Sequence, residues 1–314
     1  MIAVGGENLI DFVSTSSKDD LPVYTAHPGG SPFNVAMAAG RQQAQTCYLT
    51  PISSDKLGDL LAARLTDSGV KLAGRRSEKP SSLAVVSIEG GIPAYGFYRR
   101  DTAERQVDAD FLEKIMPDQT QILHLGSAAL INGTDAAAWE TAFSRHHQVG
   151  KLTSLDPNIR PSLVADADSY RARLNRMMQI ADILKLSDED LQWLYPSQDL
   201  HAGFAACVAD STAALVILTQ GEKGIWAQVG TEQFDLPAHK IEDLQDTVGA
   251  GDTFMASLLV WCLDNQKTSR TALEQLSRAE VETALQRAAI AAALNCQKQG
   301  CQPPTANEID DALA

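Results

Sequence analysis

Residues 246–254 read Asp246-Thr247-Val248-Gly249-Ala250-Gly251-Asp252-Thr253-Phe254, and this short segment carries the most chemical information in the chain. Two glycines let the backbone approach an anion closely. The apolar run from Gly251 to Cys262 reads as a helix whose free N–H groups point at the same place. An acid ending such a turn would repel a simple phosphate. It makes sense if Asp252 takes a proton from an attacking hydroxyl while backbone amides hold charge on a transferred phosphoryl group. The plainer alternative is an ordinary helix start with Asp252 as a first-turn acid. There is no GxxxxGK[ST] segment, which argues against a Walker-type nucleotidase, and no GxGxxG follows the first apolar run.

Upstream of this turn the chain alternates short apolar runs with helical stretches. Ile122–Leu125, Leu152–Leu155, Ile183–Leu186 and Leu215–Leu218 read as strands. Asp135–Gln148 and Ser169–Ala181 read as helices between them. That rhythm predicts an α/β fold with a doubly wound, mostly parallel sheet covered on both faces. Val281–Gln297 reads as a second helix closing the chain. Toward the N-terminus, Ile2–Val4 predicts a first strand, Thr46–Ile52 another, and Lys56–Ser68 a helix ended by Gly69. Segments 12–27 and 82–100 are mixed polar and β-branched. The second contains Leu83–Ile88 and Ala94–Arg99 around Glu89-Gly90-Gly91, a hairpin pattern. Both segments are assigned to a small β lid inserted in one domain spanning 1–314, since no linker or internal repeat divides the chain.

Gly29-Gly30-Ser31-Pro32-Phe33-Asn34 opens the helix Phe33–Gly40, with Ser31 expected as N-cap and Pro32 at the first helical position. A glycine pair lets a ligand touch backbone, and Asn34 offers both a donor and an acceptor. Asp11 is suited to accept bonds from neighbouring hydroxyls. Each also has a local reading, Asn34 as a turn partner and Asp11 as a solvated loop acid.

With 314 residues, 44% hydrophobic and 21% charged, the chain can bury a normal core, and disorder has no compositional support. A formal charge of −14 argues against nucleic acid and requires positive potential for an anionic substrate to be concentrated locally. The five cysteines are scattered without a CxxC pair, so reduced thiols are expected rather than zinc or disulfides. The start MIAVGGENLIDFV lacks a basic n-region, and no apolar run reaches the roughly 18 residues a membrane span needs. The chain reads as cytoplasmic.

The pairing of GGSPFNVA with DTVGAGDTF resembles the two signatures of the PfkB (ribokinase-like) carbohydrate kinases, in order and spacing, along essentially the whole chain. The resemblance implies a three-layer ribokinase-like fold and transfer of phosphate from ATP, with Mg²⁺, to a sugar. It implies Asp252 as catalytic base, with Gly249, Ala250 and Gly251 as the anion hole. It further implies Asp11, Gly30 and Asn34 at the sugar, and Thr219, Gly221 and Gly224 at the nucleotide. The family's N-x-x-E motif appears here as Ser187-Asp188-Glu189-Asp190 within KLSDEDL. Lys185, Ser187 and Asn295 are accordingly expected at the cofactor, and Asp190 is expected to serve Mg²⁺ through water. Asp246 matches a monovalent-cation carboxylate, with carbonyls of residues 295–304 completing a site for K⁺.

Phe97, Tyr98 and Arg99 on the lid resemble the FYR or YYR segment of fructokinases and 2-keto-3-deoxygluconate kinases. Arg160 of Asp156-Pro157-Asn158-Ile159-Arg160-Pro161 belongs to a stretch found in both. KLSDEDL, LHLGSAAL and NCQKQGCQPPT favour fructokinases, so fructose is the expected substrate, with the keto-acid or a nucleoside as alternatives. A homodimer through the lid is the expected assembly, with a small sugar as the only other partner. A catalytically silent sugar sensor is the reading from another class, and the intact Gly-Ala-Gly-Asp turn argues against it.

Overall fold

The structure, a computed structural model, describes residues 1–18, 21–89 and 92–314, without the side chains of 15–18, 86–89 and 92–95. In chain order the strands are β1 (Ile2–Gly5), β2 (Leu9–Lys18), β3 (Leu21–Gly29), β4 (Thr46–Tyr48), β5 (Ile52–Ser53), β6 (Lys71–Leu72), β7 (Arg76–Ser77), β8 (Ser82–Glu89), β9 (Ile92–Tyr98), β10 (Ile122–Gly126), β11 (Leu152–Asp156), β12 (Ile183–Ser187), β13 (Leu215–Thr219), β14 (Ile225–Val229) and β15 (Glu232–Leu236). Nine of them form one sheet in the order β15-β14-β13-β12-β11-β10-β1-β4-β6. All its pairs are parallel except β13–β14 and β14–β15. The mostly parallel α/β architecture expected from the sequence is present.

Alternate residues of each strand face opposite helical layers, which is why the strands read as unbroken apolar runs. Ile2 and Val4 join a core with the helices Ser31–Arg41, Ala250–Asp264 and Arg278–Cys296. Ala3 faces the other way, into a core with Trp139, Phe143, Tyr170 and Leu174. The helices Ser31–Arg41 and Arg278–Cys296 both pack against Ala250–Asp264. Alanines fill these contacts, so the helix backbones run close together.

A separate four-stranded sheet, β3-β2-β8-β9, occupies the segments assigned to the lid. In it, β2 pairs β3 antiparallel and β8 parallel, and β8 pairs β9 antiparallel. The turn residues Gly90 and Gly91, and Asp19 and Asp20 of the first lid segment, lie outside the described residues.

Three local expectations are corrected. Thr46–Ile52 is not one strand, because Pro51 has no N–H to offer a ladder; β4 and β5 belong to different sheets. The β14–β15 hairpin was overlooked, although Ile225–Val229 alternates buried and half-buried positions and Gly230 turns at φ 55°. The chain also continues past Cys296 into a helix, Ala306–Leu313, whose Thr305–Glu308 capping box was legible as T-x-x-E.

Candidate active site

The parallel strands β1, β10, β11, β12 and β13 all end at one edge, the usual place for a ligand in such sheets. Asp156, Ser187 and Thr219 are their terminal residues there. Two helices begin at the same edge. Ala250–Asp264 starts from Gly249 at φ 76°, a left-handed conformation, and a β-carbon on Gly249 would collide with Cys301 Sγ. Glycine is therefore required for both backbone and space. Ser31–Arg41 starts from Gly30 at φ 107°, where a β-carbon would lie 2.7 Å from the Glu7 carbonyl oxygen.

Because these helix starts are neighbours, their first-turn side chains converge on Asp252. The Ser31 hydroxyl donates to Asp252 Oδ1 at 2.7 Å and the Asn34 amide to Oδ2 at 2.8 Å. Asn158 Nδ2 adds a longer contact to Oδ1 at 3.4 Å. Ser31 is thus not the N-cap expected from the sequence. Gly30 takes that place, and the hydroxyl spans 221 positions to hold the acid.

Asp252 is 6% exposed. Burial pushes its pKa up to about 6, aided by nearby Asp156, while the Ser31 and Asn34 bonds and Lys185 pull the other way. A carboxylate at that value is ionised at neutral pH and more basic than an ordinary one, as a general base should be. Its neighbour Lys185 is 3% exposed and pairs Nζ with Asp156 Oδ2 at 2.9 Å. Burial works against that ammonium, but Asp156 and Asp190 outweigh it and raise its pKa, keeping it charged. A β-carbon on Gly251 would lie 3.0 Å from Lys185 Nζ, so the cation stands against the helix start. The helix start and a buried ammonium meet at one point, although Asp156, Asp190 and Asp252 surround that cation and offset its charge.

Asp11 lies on β2 in a register row with His27, Ala84 and Phe97, so Phe97 shares its face of the lid sheet. Burial pushes the Asp11 carboxyl up to about 6; Arg160 opposes this, and Glu7 and Asp252 add to it. Asp11 is therefore close enough to both Arg160 and Asp252 to interact with them electrostatically. Asn34 Oδ1 is buried and has no hydrogen-bond partner among the described residues. Arg160 is exposed and uses Nη1 on Asn158 Oδ1 at 2.5 Å.

Other expected residues are differently employed. Arg99 is 9% exposed and forks onto Glu104 at 2.9 and 3.1 Å while donating to the Ala128 carbonyl at 3.0 Å. It is committed to an internal ion pair rather than held out toward a sugar. Tyr98 is 62% exposed, on the opposite lid face from Phe97. Asn295 is fully buried, donating to the Val248 carbonyl and accepting from Gln302 N–H, so its amide ties the glycine turn to the loop after Cys296. Asp246 staples the same segments by accepting from Val248 and Gly300 N–H at 3.0 and 2.9 Å. Thr219 donates to the Leu186 carbonyl, and Gly221 and Gly224 take positive φ in the turn beyond β13.

The sequence reading missed Ser31, Asp156 and Asn158 as site residues. Asn158, at φ 39°, carried a signal in the quoted DPN stretch, since asparagine tolerates the left-handed region.

The family model described as pfkB family carbohydrate kinase matches residues 1–308. A fructokinase of Rhizobium leguminosarum bv. trifolii is 34% identical over 272 residues, covering 86% of this chain and 82% of that protein. Fructokinase-2 of Solanum lycopersicum is 30% identical over 318 residues, covering 98% and 94%. Among solved structures, a fructokinase with bound ATP from Xylella fastidiosa superposes with a TM-score of 0.91 at 24% identity, over 99% of this chain and 97% of that one. A fructokinase from Vibrio cholerae O395 in fructose-, ADP- and calcium-bound form gives 0.83 at 24% identity, over 100% and 98%. The fold is shared with these solved structures. The chain belongs to the pfkB family of carbohydrate kinases, enzymes that phosphorylate a sugar.

Ionisation of the two raised carboxylates sets an expected pH dependence. A base role for Asp252 would require the unprotonated acid, so that kcat/KM would rise with pH through about 6, the two acids titrating as a coupled pair. Stability carries the opposite sign. With the folded pKa of Asp252 raised, its contribution is fully present below its unfolded value of 3.8 and lost as pH rises through about 6. A kcat/KM flat between pH 5 and 7, in roughly unit steps, contradicts this assignment.

Proposed function

We propose that this kinase uses ATP to phosphorylate the primary hydroxyl of a ketohexose, fructose being the preferred acceptor. The observation that carries the reading is the basic carboxylate of Asp252, buried beside a helix N-terminus and the Lys185 ammonium. The fructokinases at 34% and 30% identity support the choice of sugar.

In this mechanism Asp11, the Gly30 backbone and the free Asn34 oxygen hold the sugar, with Phe97 against it and Arg160 on an outer oxygen. Asp252 takes the proton of the attacking hydroxyl. The N–H groups of Gly249, Gly251 and Asp252, with Lys185, stabilise charge building on the phosphoryl oxygens; the Ala250 N–H expected among them donates instead to the Thr247 carbonyl at 3.2 Å. The turn from Thr219 to Gly224 borders the nucleotide, and the four-stranded sheet acts as the lid of a single domain, closing to exclude water. Among the described residues no group of three or more His, Cys, Asp or Glu is placed to hold a metal ion. Mg²⁺ is proposed to arrive on the phosphates, as it commonly does, where it would supply charge neutralisation. Asp246 and the carbonyls near residues 295–304 are proposed to favour K⁺. No helix among the described residues is long and apolar enough to cross a membrane, which is compatible with the proposed cytoplasmic location. A homodimer through that sheet is proposed, with Leu21 and Val23 exposed on its edge strand β3.

A sugar panel with pure protein, read as sugar-dependent ADP release, tests the function. Fructose should give the highest kcat/KM, and preference for 2-keto-3-deoxygluconate would overturn the choice of sugar. Arg160→Ala should raise the sugar KM roughly 10- to 100-fold with a much smaller change in kcat, the loss of one charge-assisted bond. An unchanged KM removes Arg160 from the sugar.

A further inference from the structure

Asp190 is the residue that the family pattern ties to the metal, yet its carboxylate is filled by protein donors. Oδ1 accepts the Ile159 N–H at 2.6 Å. Oδ2 accepts the Ser187 N–H at 3.0 Å and its hydroxyl at 2.8 Å. The residue is 4% exposed, so water has little access to what acceptor capacity is left.

What these bonds grip is informative. The Ile159 N–H belongs to the peptide that follows Asn158, and Asn158 is held at φ 39°. Asparagine tolerates that conformation, and the Ile159 N–H bond to Asp190 fixes the peptide that follows it. Asn158 touches Asp252 through Nδ2 and takes Arg160 Nη1 on Oδ1. Asp190 thus clamps the peptide beside which an amide facing the base and a guanidinium facing the sugar both hang. Through Ser187 the same carboxylate anchors this loop to the end of β12.

We propose that Asp190 is a positioning residue for the sugar-binding loop Asn158–Arg160, and that it does not place the metal. The inference rests on the sugar-kinase reading above. A glutamate would also close the Ser187 capping box, so the capping box alone does not account for an aspartate. The shorter side chain meets Ile159 N–H and Ser187 at once.

Asp190→Asn leaves one acceptor oxygen where two are used, so one side of the clamp is lost. Sugar binding is measured calorimetrically in EDTA without nucleotide, where a metal role has no effect. The expected result is binding weakened at least about tenfold, with the Mg²⁺ concentration for half-maximal turnover within about twofold of wild type. Because Asp190 acts through the loop, Asp190→Asn and Arg160→Ala should be strongly non-additive for sugar binding. Unchanged sugar binding in EDTA, with the Mg²⁺ requirement raised about tenfold, overturns the proposal. Where circular dichroism shows Asp190→Asn unfolded, Ser187→Ala releases one hold and keeps the carboxylate. It should weaken sugar binding in EDTA by about two- to fivefold, and an unchanged value overturns the proposal equally. Wild-type protein is measured in parallel. If it binds no sugar of the panel, both readings fall; if it binds and Asp190→Asn binds equally, only the positioning role falls.

Discussion

Asp252→Asn should fold, bind sugar nearly as well as wild type, and lose at least about 10³-fold in kcat, within the range for removing a positioned general base. The amide fits the same space and keeps an acceptor oxygen for the Ser31 hydroxyl or the Asn34 amide, so gross misfolding is not expected. Its neutrality also removes a buried charge. With the carboxyl raised from 3.8 to about 6, the ionised acid costs the folded state up to about 3 kcal/mol at neutral pH. The variant should therefore melt no lower than wild type, and its stability should vary less between pH 4 and 7. A variant that is both inactive and strongly destabilised would point to a structural role instead.

Lys185→Met is the second large effect, and it separates stability from chemistry. The Lys185–Asp156 pair is 4% and 1% exposed in its side chains, and Asp156 Oδ1 already lacks a partner. Taking away the ammonium leaves a buried carboxylate with no cation beside Asp190 and Asp252. Breaking a buried pair in this way costs about 3–5 kcal/mol, a fall in Tm of roughly 5–8 °C for a chain of this size. Adding Asp156→Leu removes the stranded charge, so the double variant should recover most of that loss in thermal unfolding. Turnover should not recover, because the cation beside Gly251 is still missing. Recovery of kcat along with Tm would show that Lys185 serves packing alone.

The parts of the site that were legible in the sequence are those made by one continuous segment. The Gly249–Asp252 turn announces its own backbone conformation and helix, and the strand–helix rhythm announces the sheet. Partnerships across the fold were not legible. Ser31 before Pro32 looks like a helix cap, and only the packing of two distant helices turns its hydroxyl toward Asp252. Lys185 and Asp156 meet because β11 and β12 are adjacent, which depends on sheet order rather than on either strand's residues. Arg99 looked available as a lid cation, but Glu104 five residues later neutralises it once both are buried. Asp190 shows the same limit: its place in a family pattern suggested a metal, and only the fold brings its carboxylate to the Ile159 N–H.

Rapid-quench single turnover of fructose-saturated enzyme, compared between wild type and Asp252→Asn, reads the phosphoryl-transfer step itself, free of product release. Proton removal by this carboxylate requires the transfer rate to fall by about three orders of magnitude and to lose its dependence on pH near 6. A transfer rate within about tenfold of wild type, with the pH dependence retained, would mean that another group takes the proton.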